Sequence, residues 1–323
     1  MARPPDTRRA HDTRRAQHTT PAAEPTPVHH LGVDIGGTKV ALRVEADGEC
    51  VDETVFAWRP RHSADRDLAQ LADHVDELRE KLDAPLRAVG VAVPATVGPD
   101  GHVTAWPSRP EWTGTDLGGA LRTLFPGTPV AWADDGDLGA LAEARAAGCE
   151  DLLYVGIGTG VGGGLVMGGE LCPGPARGSF EIGHMIVELD GPPCVCGRRG
   201  CLQAIASGPA TLRHATRLRG SEVGYDVLRQ GWCDGEPWAI AALWRTGRAV
   251  AAAAVGVQEL LHPRLLLIGG GFASGVPGLP TLVADQLAEL ARPGMPQLEV
   301  GPAALGALSS LRGAVALARQ LRP

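Results

Sequence analysis

Five short runs in this 323-residue chain combine residue types in ways that suit chemistry. The most specific by spacing is Glu181-Ile182-Gly183-His184 followed by Cys194-Val195-Cys196-Gly197-Arg198-Arg199-Gly200-Cys201. His184, Cys194, Cys196 and Cys201 supply the four nitrogen and sulfur ligands of a closed tetrahedral zinc site, and a site with no open position is structural. Reduced thiols in a loop are the alternative, although unliganded cysteines are usually dispersed, as Cys50, Cys149, Cys172 and Cys233 are. A second run, Asp34-Ile35-Gly36-Gly37-Thr38-Lys39, puts two glycines between apolar segments. Their N–H groups can approach an anion closely, the Thr38 hydroxyl can add a hydrogen bond, and Asp34 can hold Mg²⁺ through water. An ordinary hairpin turn with positive-φ glycines is the competing reading.

Two more runs are glycine-rich. Gly156-Ile157-Gly158-Thr159-Gly160-Val161-Gly162-Gly163-Gly164 contains G-x-G-x-x-G at 158–163, but a dinucleotide site needs a helix directly after it. LVMGGEL follows instead, which is β-prone and predicts a hairpin. Gly269-Gly270-Gly271 ends the apolar run LLLI and suits either backbone packed against a flat adenine or ribose, or a tight strand-to-helix turn. In the fifth run, Asp134-Asp135-Gly136-Asp137, a carboxylate at a strand end can take a proton from a hydroxyl. At least one of its three Asp also suits a helix N-cap.

The elements that must position these residues alternate. Residues 31–46 read as two strands joined by Gly36-Gly37-Thr38, 65–84 as a helix from Leu68, Leu71, Val75, Leu78 and Leu82, and 88–95 as a buried strand ending at Pro94. Residues 96–116 look loop-like, TPVAWADD is another strand, and a small-residue helix spans about 138–147. Two strands flank the 156–164 glycines, 176–203 is irregular, 207–219 and 236–262 look helical, 265–271 is a strand, and 303–320 is a terminal Ala-rich helix. This order predicts an α/β protein with two lobes.

Composition narrows the function. Lys+Arg total 30 against Asp+Glu 37, a net charge of −7, so no global positive field holds a nucleic acid. Glycine, at 44 residues, exceeds what turns and caps use. Residues 1–30 are rich in Arg, His and Pro without apolar periodicity and predict a disordered extension. Its near-repeat DTRRAHDTRRAQ leaves a transit peptide or an acidic partner as alternatives to a solvated tail. No secretory apolar run and no stretch of eighteen uncharged apolar residues occurs, so a cytoplasmic protein without membrane partners is expected.

Together these runs resemble the ROK family of repressors and sugar kinases, over about residues 31–320. The carriers are DIGGTK at 34–39, GIGTGVGGG at 156–164, EIGH at 181–184 with CVCGRRGCL at 194–202, and IGGG at 268–271. The resemblance implies the two-lobed actin-like and hexokinase-like ATPase fold, with ribonuclease H-like lobes and an inserted zinc loop. A small lobe would span 31–134, completed by the helix at 303–320, and a large lobe 135–302, with ATP and sugar in the cleft between them. It further implies nucleotide and Mg²⁺ contacts from Asp34, Gly36, Gly37, Thr38, Lys39, Gly158, Thr159, Gly160, Gly269, Gly270 and Gly271. Asp135 falls on the family's base, which deprotonates a primary hydroxyl for attack on the γ-phosphate. Glu181 falls on a sugar-binding Glu, and His184 would serve zinc with one ring nitrogen and sugar with the other.

Three positions depart from the glucose-kinase pattern: Asp134 stands where Asn is common, Gln203 where Glu is, and Ser108, ahead of Trp112, where Asn is. Asp134 adds negative charge beside the base, which a substrate ammonium offsets. Gln203 removes a carboxylate that would accept an anomeric hydroxyl, which suits a cyclitol. The expected substrate is therefore an aminohexose such as kanosamine, or a C7-cyclitol, in specialised metabolism, with plain glucose or an N-acetylhexosamine as the alternative. A non-catalytic ROK sensor or repressor is the reading from another class; thirty Pro/Arg-rich residues cannot form its winged helix-turn-helix. The family also implies a homodimer or homotetramer.

Overall fold

In the computed structural model the described residues are Met1, 28–59, 63–106, 108–174 and 177–322. The extension expected over 1–30 lies outside them from 2 to 27, as does Pro107. His29 and His30 belong instead to the first strand, β1 (His29–Ile35). His29 is buried there, its Nδ1 3.1 Å from the Ala84 carbonyl oxygen and its Nε2 3.3 Å from Asp83.

Two five-stranded mixed sheets organise the chain. The first has the order β3-β2-β1-β4-β7, from β1, β2 (Lys39–Ala46), β3 (Glu49–Ala57), β4 (Leu86–Ala92) and β7 (Val130–Ala133). β1 pairs antiparallel with β2 and parallel with β4. The second has the order β10-β9-β8-β11-β12, from β8 (Leu152–Ile157), β9 (Val161–Met167), β10 (Glu170–Cys172), β11 (Leu265–Gly269) and β12 (Glu299–Pro302). β8 pairs antiparallel with β9 and parallel with β11, so strand order and direction repeat between the sheets. A two-stranded ribbon of β5 (Thr96–Val97) and β6 (Val103–Ala105) occupies part of the segment that the sequence reads as loop. The glycine run at 156–164 is the β8–β9 hairpin, and no helix follows it.

Helices fill the layers: α1 (Ala64–Lys81), α2 (Leu117–Leu124), α3 (Asp135–Ala147), α4 (Leu202–Ala206), α5 (Gly208–Arg219), α6 (Tyr225–Cys233), α7 (Pro237–Leu261), α8 (Leu279–Leu290) and α9 (Ser309–Gln320). α3 begins three residues before its expected start, because Asp134 caps it by accepting from the Gly136 N–H at 2.9 Å. α9 begins six residues later than expected. The chain first adds β12 to the second sheet, and buried Glu143 then accepts from the Ala304 and Leu305 N–H groups and the Ser309 hydroxyl, holding 303–308 out of the helix. α7 is long and apolar enough to cross a membrane by length and composition, yet its Ala, Val and Leu face is packed in the core beneath the second sheet.

Small residues bring α3 and α9 close to the sheets. A Cβ on Gly90 of β4 would lie 2.0 Å from the Ala314 carbonyl oxygen of α9, and one on Gly313 would lie 1.9 Å from the Leu138 carbonyl oxygen of α3. A Cβ on Gly164 of β9 would lie 2.6 Å from the Asp137 Cα. These contacts are closer than any side chain allows, and they carry the N-terminus of α3 to the ends of β1 and β9.

Candidate active site

The β1–β2 hairpin ends in Gly36-Gly37-Thr38, and neither glycine has a positive φ. Crowding accounts for both: a Cβ on Gly36 would sit 2.9 Å from the Lys39 carbonyl oxygen, and one on Gly37 2.7 Å from the Ser108 hydroxyl. Among the described residues, no backbone group accepts a hydrogen bond from the Gly37 or Thr38 N–H. Two adjacent unengaged amides beside a lysine are suited to an anion.

Asp34, at the end of β1, accepts from the Ser310 hydroxyl of α9 at 2.6 Å. Its carboxyl lies above the usual range because of burial, opposed by Ser310 and by Lys39. Asp135 lies in the first turn of α3. Burial first, then the Asp34 charge, raise it to about 6, against hydrogen bonding from the Gly136 N–H. Burial, with Asp135, Asp137 and Glu181, pushes Asp134 up to about 8, and burial lifts Asp137 to about 7. Among the described residues, none of Asp134, Asp135, Asp137 or Glu181 is in an ion pair with Lys or Arg, so the group, with Asp137 buried, Asp134 and Asp135 half-buried and Glu181 at the exposed rim, is an acidic pocket without its counter-charge. A cleft opens on it, lined by Thr96, Trp132, Asp134, Asp137, Gly178 and Ser179 among others. Glu181 is fixed by the Ser179 hydroxyl at 2.6 Å. A base whose pKa lies near the working pH is suited to deprotonating a hydroxyl, and Asp135 fits that description.

The thiols of Cys194, Cys196 and Cys201 and a ring nitrogen of His184 all lie within 4.8 Å of one another. His184 Nδ1 is 3.8 Å from the Cys194 sulfur, and the Cys196 and Cys201 sulfurs are 3.7 Å apart. Zinc–sulfur bonds of about 2.3 Å at tetrahedral angles put sulfurs just under 4 Å apart, so the donor set fits a zinc ion. With Nδ1 toward that centre, Nε2 is the nitrogen left for another partner. Gln203 bridges the two sites: its Nε2 donates to Cys194 at 3.4 Å, and its Oε1 lies 3.2 Å from where a Cβ on Gly160 would sit.

The glycines divide into two kinds. Gly163, Gly164, Gly269 and Gly270 are crowded by protein; a Cβ on Gly269 would lie 2.7 Å from Ala303, and Gly270, at φ +87°, faces Ile157 at 2.5 Å. At Gly158, Gly162 and Gly271 a Cβ would meet no protein atom within 4 Å, and at Gly160 only the end of the Gln203 side chain, at 3.2 Å. Internal packing therefore explains the first kind, and an approach by something outside the chain remains open only for the second. Thr159 lies at the exposed tip of the same hairpin.

Sequence reasoning assigned no role to Ser310 or Asp137. Ser310 stands 276 positions from the Asp34 it contacts, and nothing local marks that pairing. Asp137 carries a signal, one turn from Asp134 on a helix too small-sided to leave it in solvent; it is 3% exposed and accepts from the Phe180 N–H at 3.3 Å.

Residues 30–321 match the ROK family. Over 290 residues, 90% of this chain and 96% of the relative, the sequence is 66% identical to a kanosamine kinase of Amycolatopsis mediterranei (strain S699). A ROK hexokinase from Thermus thermophilus superposes with a TM-score of 0.80 at 28% identity, covering 91% of this chain and 98% of that one. A ROK family glucokinase from Streptomyces griseus, solved with glucose and AMPPNP, gives 0.70 at 27% identity, covering 91% and 100%.

Proposed function

The chain belongs to the ROK family, and from that premise we propose that it is an ATP-dependent carbohydrate kinase that phosphorylates the primary hydroxyl of an amino sugar, kanosamine in the first place. The observation that carries the substrate is the acidic pocket. Burial first, and then neighbouring carboxylates including Glu181, raise the pKa values of Asp134, Asp135 and Asp137, and no cation among the described residues relieves them. An ammonium on the sugar supplies that cation, and in a buried site its attraction exceeds what it would be in water. The 66% identity to a kanosamine kinase supports the same reading.

In this reading the two sheets belong to a smaller lobe, 31–134 completed by α9, and a larger lobe, 135–302, with the reactants between them. Asp135 takes the proton from the primary hydroxyl as that oxygen attacks the γ-phosphate. Phosphoryl transfer needs positioning and charge neutralisation rather than covalent chemistry, so one well-placed carboxylate with backbone donors suffices. Asp134 holds the substrate ammonium while capping α3 through the Gly136 N–H. Glu181, Gln203, Ser108 and the Nε2 of His184 contact the remaining hydroxyls. Asp34, Gly36, Gly37, Thr38 and Lys39 face the phosphates, with Gly158, Thr159, Gly160 and Gly271 along the nucleotide; Gly269 and Gly270 shape that wall by their packing. Asp34 would hold Mg²⁺ through water, and the ion would neutralise phosphate charge. His184, Cys194, Cys196 and Cys201 would hold a structural zinc that fixes the loop carrying Glu181 and Gln203.

ADP formation with MgATP, measured over kanosamine, glucose, N-acetylmannosamine and a C7-cyclitol, tests the reading. Kanosamine is expected to give the largest kcat/KM. Absence of ADP formation with every sugar refutes the kinase, and a preference for glucose refutes the role given to the acidic pocket.

A further inference from the structure

A buried ion pair lies directly behind the Gly36-Gly37-Thr38 loop. Arg109, just before the 3-10 turn at Pro110–Trp112, and Asp67, on α1, are each 2% exposed. Asp67 Oδ2 accepts from Arg109 Nη1 at 2.5 Å and from Trp112 Nε1 at 2.9 Å. The guanidinium lies over the Trp58 ring at 4.8 Å, and Trp112 packs against both Trp58 and Trp106. Burying two charges is costly, and such a pair adds little net stability over apolar residues of equal volume. Its retention calls for an explanation other than packing.

The hydrogen bonds that leave the pair supply one. Arg109 Nε donates to the Gly37 carbonyl oxygen at 2.8 Å, Trp58 Nε1 donates to that of Gly36 at 2.8 Å, and the Trp58 N–H donates to that of Thr38 at 3.2 Å. Three successive carbonyl oxygens are therefore held, two by Trp58 and one by Arg109. Two of those donors are side chains, fixed in turn by Asp67 and by ring stacking. A peptide plane whose oxygen is fixed has its N–H direction fixed too. The Gly37 and Thr38 N–H groups, unengaged among the described residues, are consequently set in direction before any anion arrives.

We propose that Arg109, oriented by Asp67 and stacked on Trp58, is a positioning residue that pre-sets the Gly37 and Thr38 amides for the terminal phosphates of the nucleotide. This rests on the kinase reading above. The guanidinium is required because one planar group must donate to a carboxylate and to a carbonyl in different directions while stacking on an indole. A lysine can satisfy only part of that set. Ser108, whose hydroxyl abuts Gly37, is carried by the same segment, so the clamp also ties the sugar-side loop to the phosphate-side loop.

Calorimetric titration of the full chain with MgAMPPNP and, separately, with AMP tests this. Arg109→Lys and Trp58→Phe are the variants; the second leaves an aromatic face for Arg109 while removing the donor to Gly36 together with part of the indole's packing. The expected result is a Kd for MgAMPPNP raised roughly tenfold in Arg109→Lys and about threefold or more in Trp58→Phe, the size of a lost hydrogen bond. The Kd for AMP, which lacks the terminal phosphates, is expected to stay within about twofold. Equal weakening of both ligands, as general damage would give, or no weakening of either, overturns the proposal. If Arg109→Lys fails to fold, Trp58→Phe decides alone. A wild-type protein that binds no MgAMPPNP overturns the kinase reading and this inference with it, whereas variants that match a binding-competent wild type overturn this inference only.

Discussion

At the scale of single residues, two neighbouring carboxylates do different work because their surroundings differ. Asp135, raised to about 6, is mostly ionised at neutral pH and still a usable base; Asp134, raised to about 8, is mostly protonated until a cation arrives. Asp135→Asn removes the base and nothing else of similar size. Its kcat is expected to fall by about 10²–10⁴-fold with the KM for ATP little changed, by steady-state kinetics. Asp134→Asn keeps an oxygen for the Gly136 N–H and removes the charge. That variant should lose kcat/KM for kanosamine and gain it for glucose, and equal preferences in variant and wild type would show that Asp134 does not read the ammonium. In the wild type, the kanosamine-to-glucose ratio of kcat/KM should rise with pH as Asp134 ionises and fall again as the substrate ammonium loses its own proton, since the attraction needs both charges.

At the scale of elements, glycine content separates into packing and approach. Gly90→Ala puts a Cβ 2.0 Å from the Ala314 carbonyl oxygen and forces β4 and α9 apart. It should lower stability by about 1–3 kcal/mol or more by chemical denaturation, as overpacking does. Gly158→Ala meets no protein atom within 4 Å and needs no positive φ, so its thermal midpoint should match the wild type. If the hairpin tip lies along the nucleotide, the same variant weakens MgAMPPNP binding while remaining equally stable. The Cys-rich loop is the other element with a clear test. Cys196→Ser should reduce metal content from about one zinc per chain and lower the unfolding temperature, measured by metal analysis and calorimetry. Metal-free wild-type protein with full activity would remove the site.

Most local features of these elements are legible in the sequence: the β1–β2 and β8–β9 hairpins from alternation around glycines, and α1 from its Leu and Val spacing. Several elements are not, among them α2, α4, β10 and the β5–β6 ribbon. β3, α6 and α8 carry mixed patterns whose burial depends on neighbours distant in sequence, and β12 is four residues, EVGP, that become a strand only because β11 offers an edge. Among site residues, the His184, Cys194, Cys196 and Cys201 donor cluster is legible because it lies within one loop, and Asp135 because it follows an apolar strand. Arg109 and Ser310 are not, since a buried ion pair and a contact across 276 positions leave no periodic trace.

At the scale of the whole molecule, the acidic pocket links stability to pH. Asp134, Asp135 and Asp137 have folded pKa values raised from 3.8 to about 8, 6 and 7, so the folded state binds more protons than the unfolded chain between those limits. Stability from these groups is fully present below about 4 and is lost as pH rises through 6 to 8. The ligand-free thermal midpoint should therefore fall over that window, fall less in Asp134→Asn, and be restored by kanosamine more than by glucose; a flat profile would contradict the burial of these charges.

The sequence by itself determined the chemistry available: a one-loop set of Cys and His metal donors, an Asp-Asp pair at a helix start, and glycines where backbone must come close. Those follow from residue type and short-range spacing, which fix ligand sets and hairpins without reference to the rest of the chain. Only the tertiary structure decided which glycines serve packing and which are open to a ligand. It alone brought Asp34 of one sheet to Asp135 on the helix leading into the other, and set Arg109 behind the Gly36-Gly37-Thr38 loop. Each depends on surfaces meeting across long separations in the chain, and the strength of a buried charge depends on what shares its cavity.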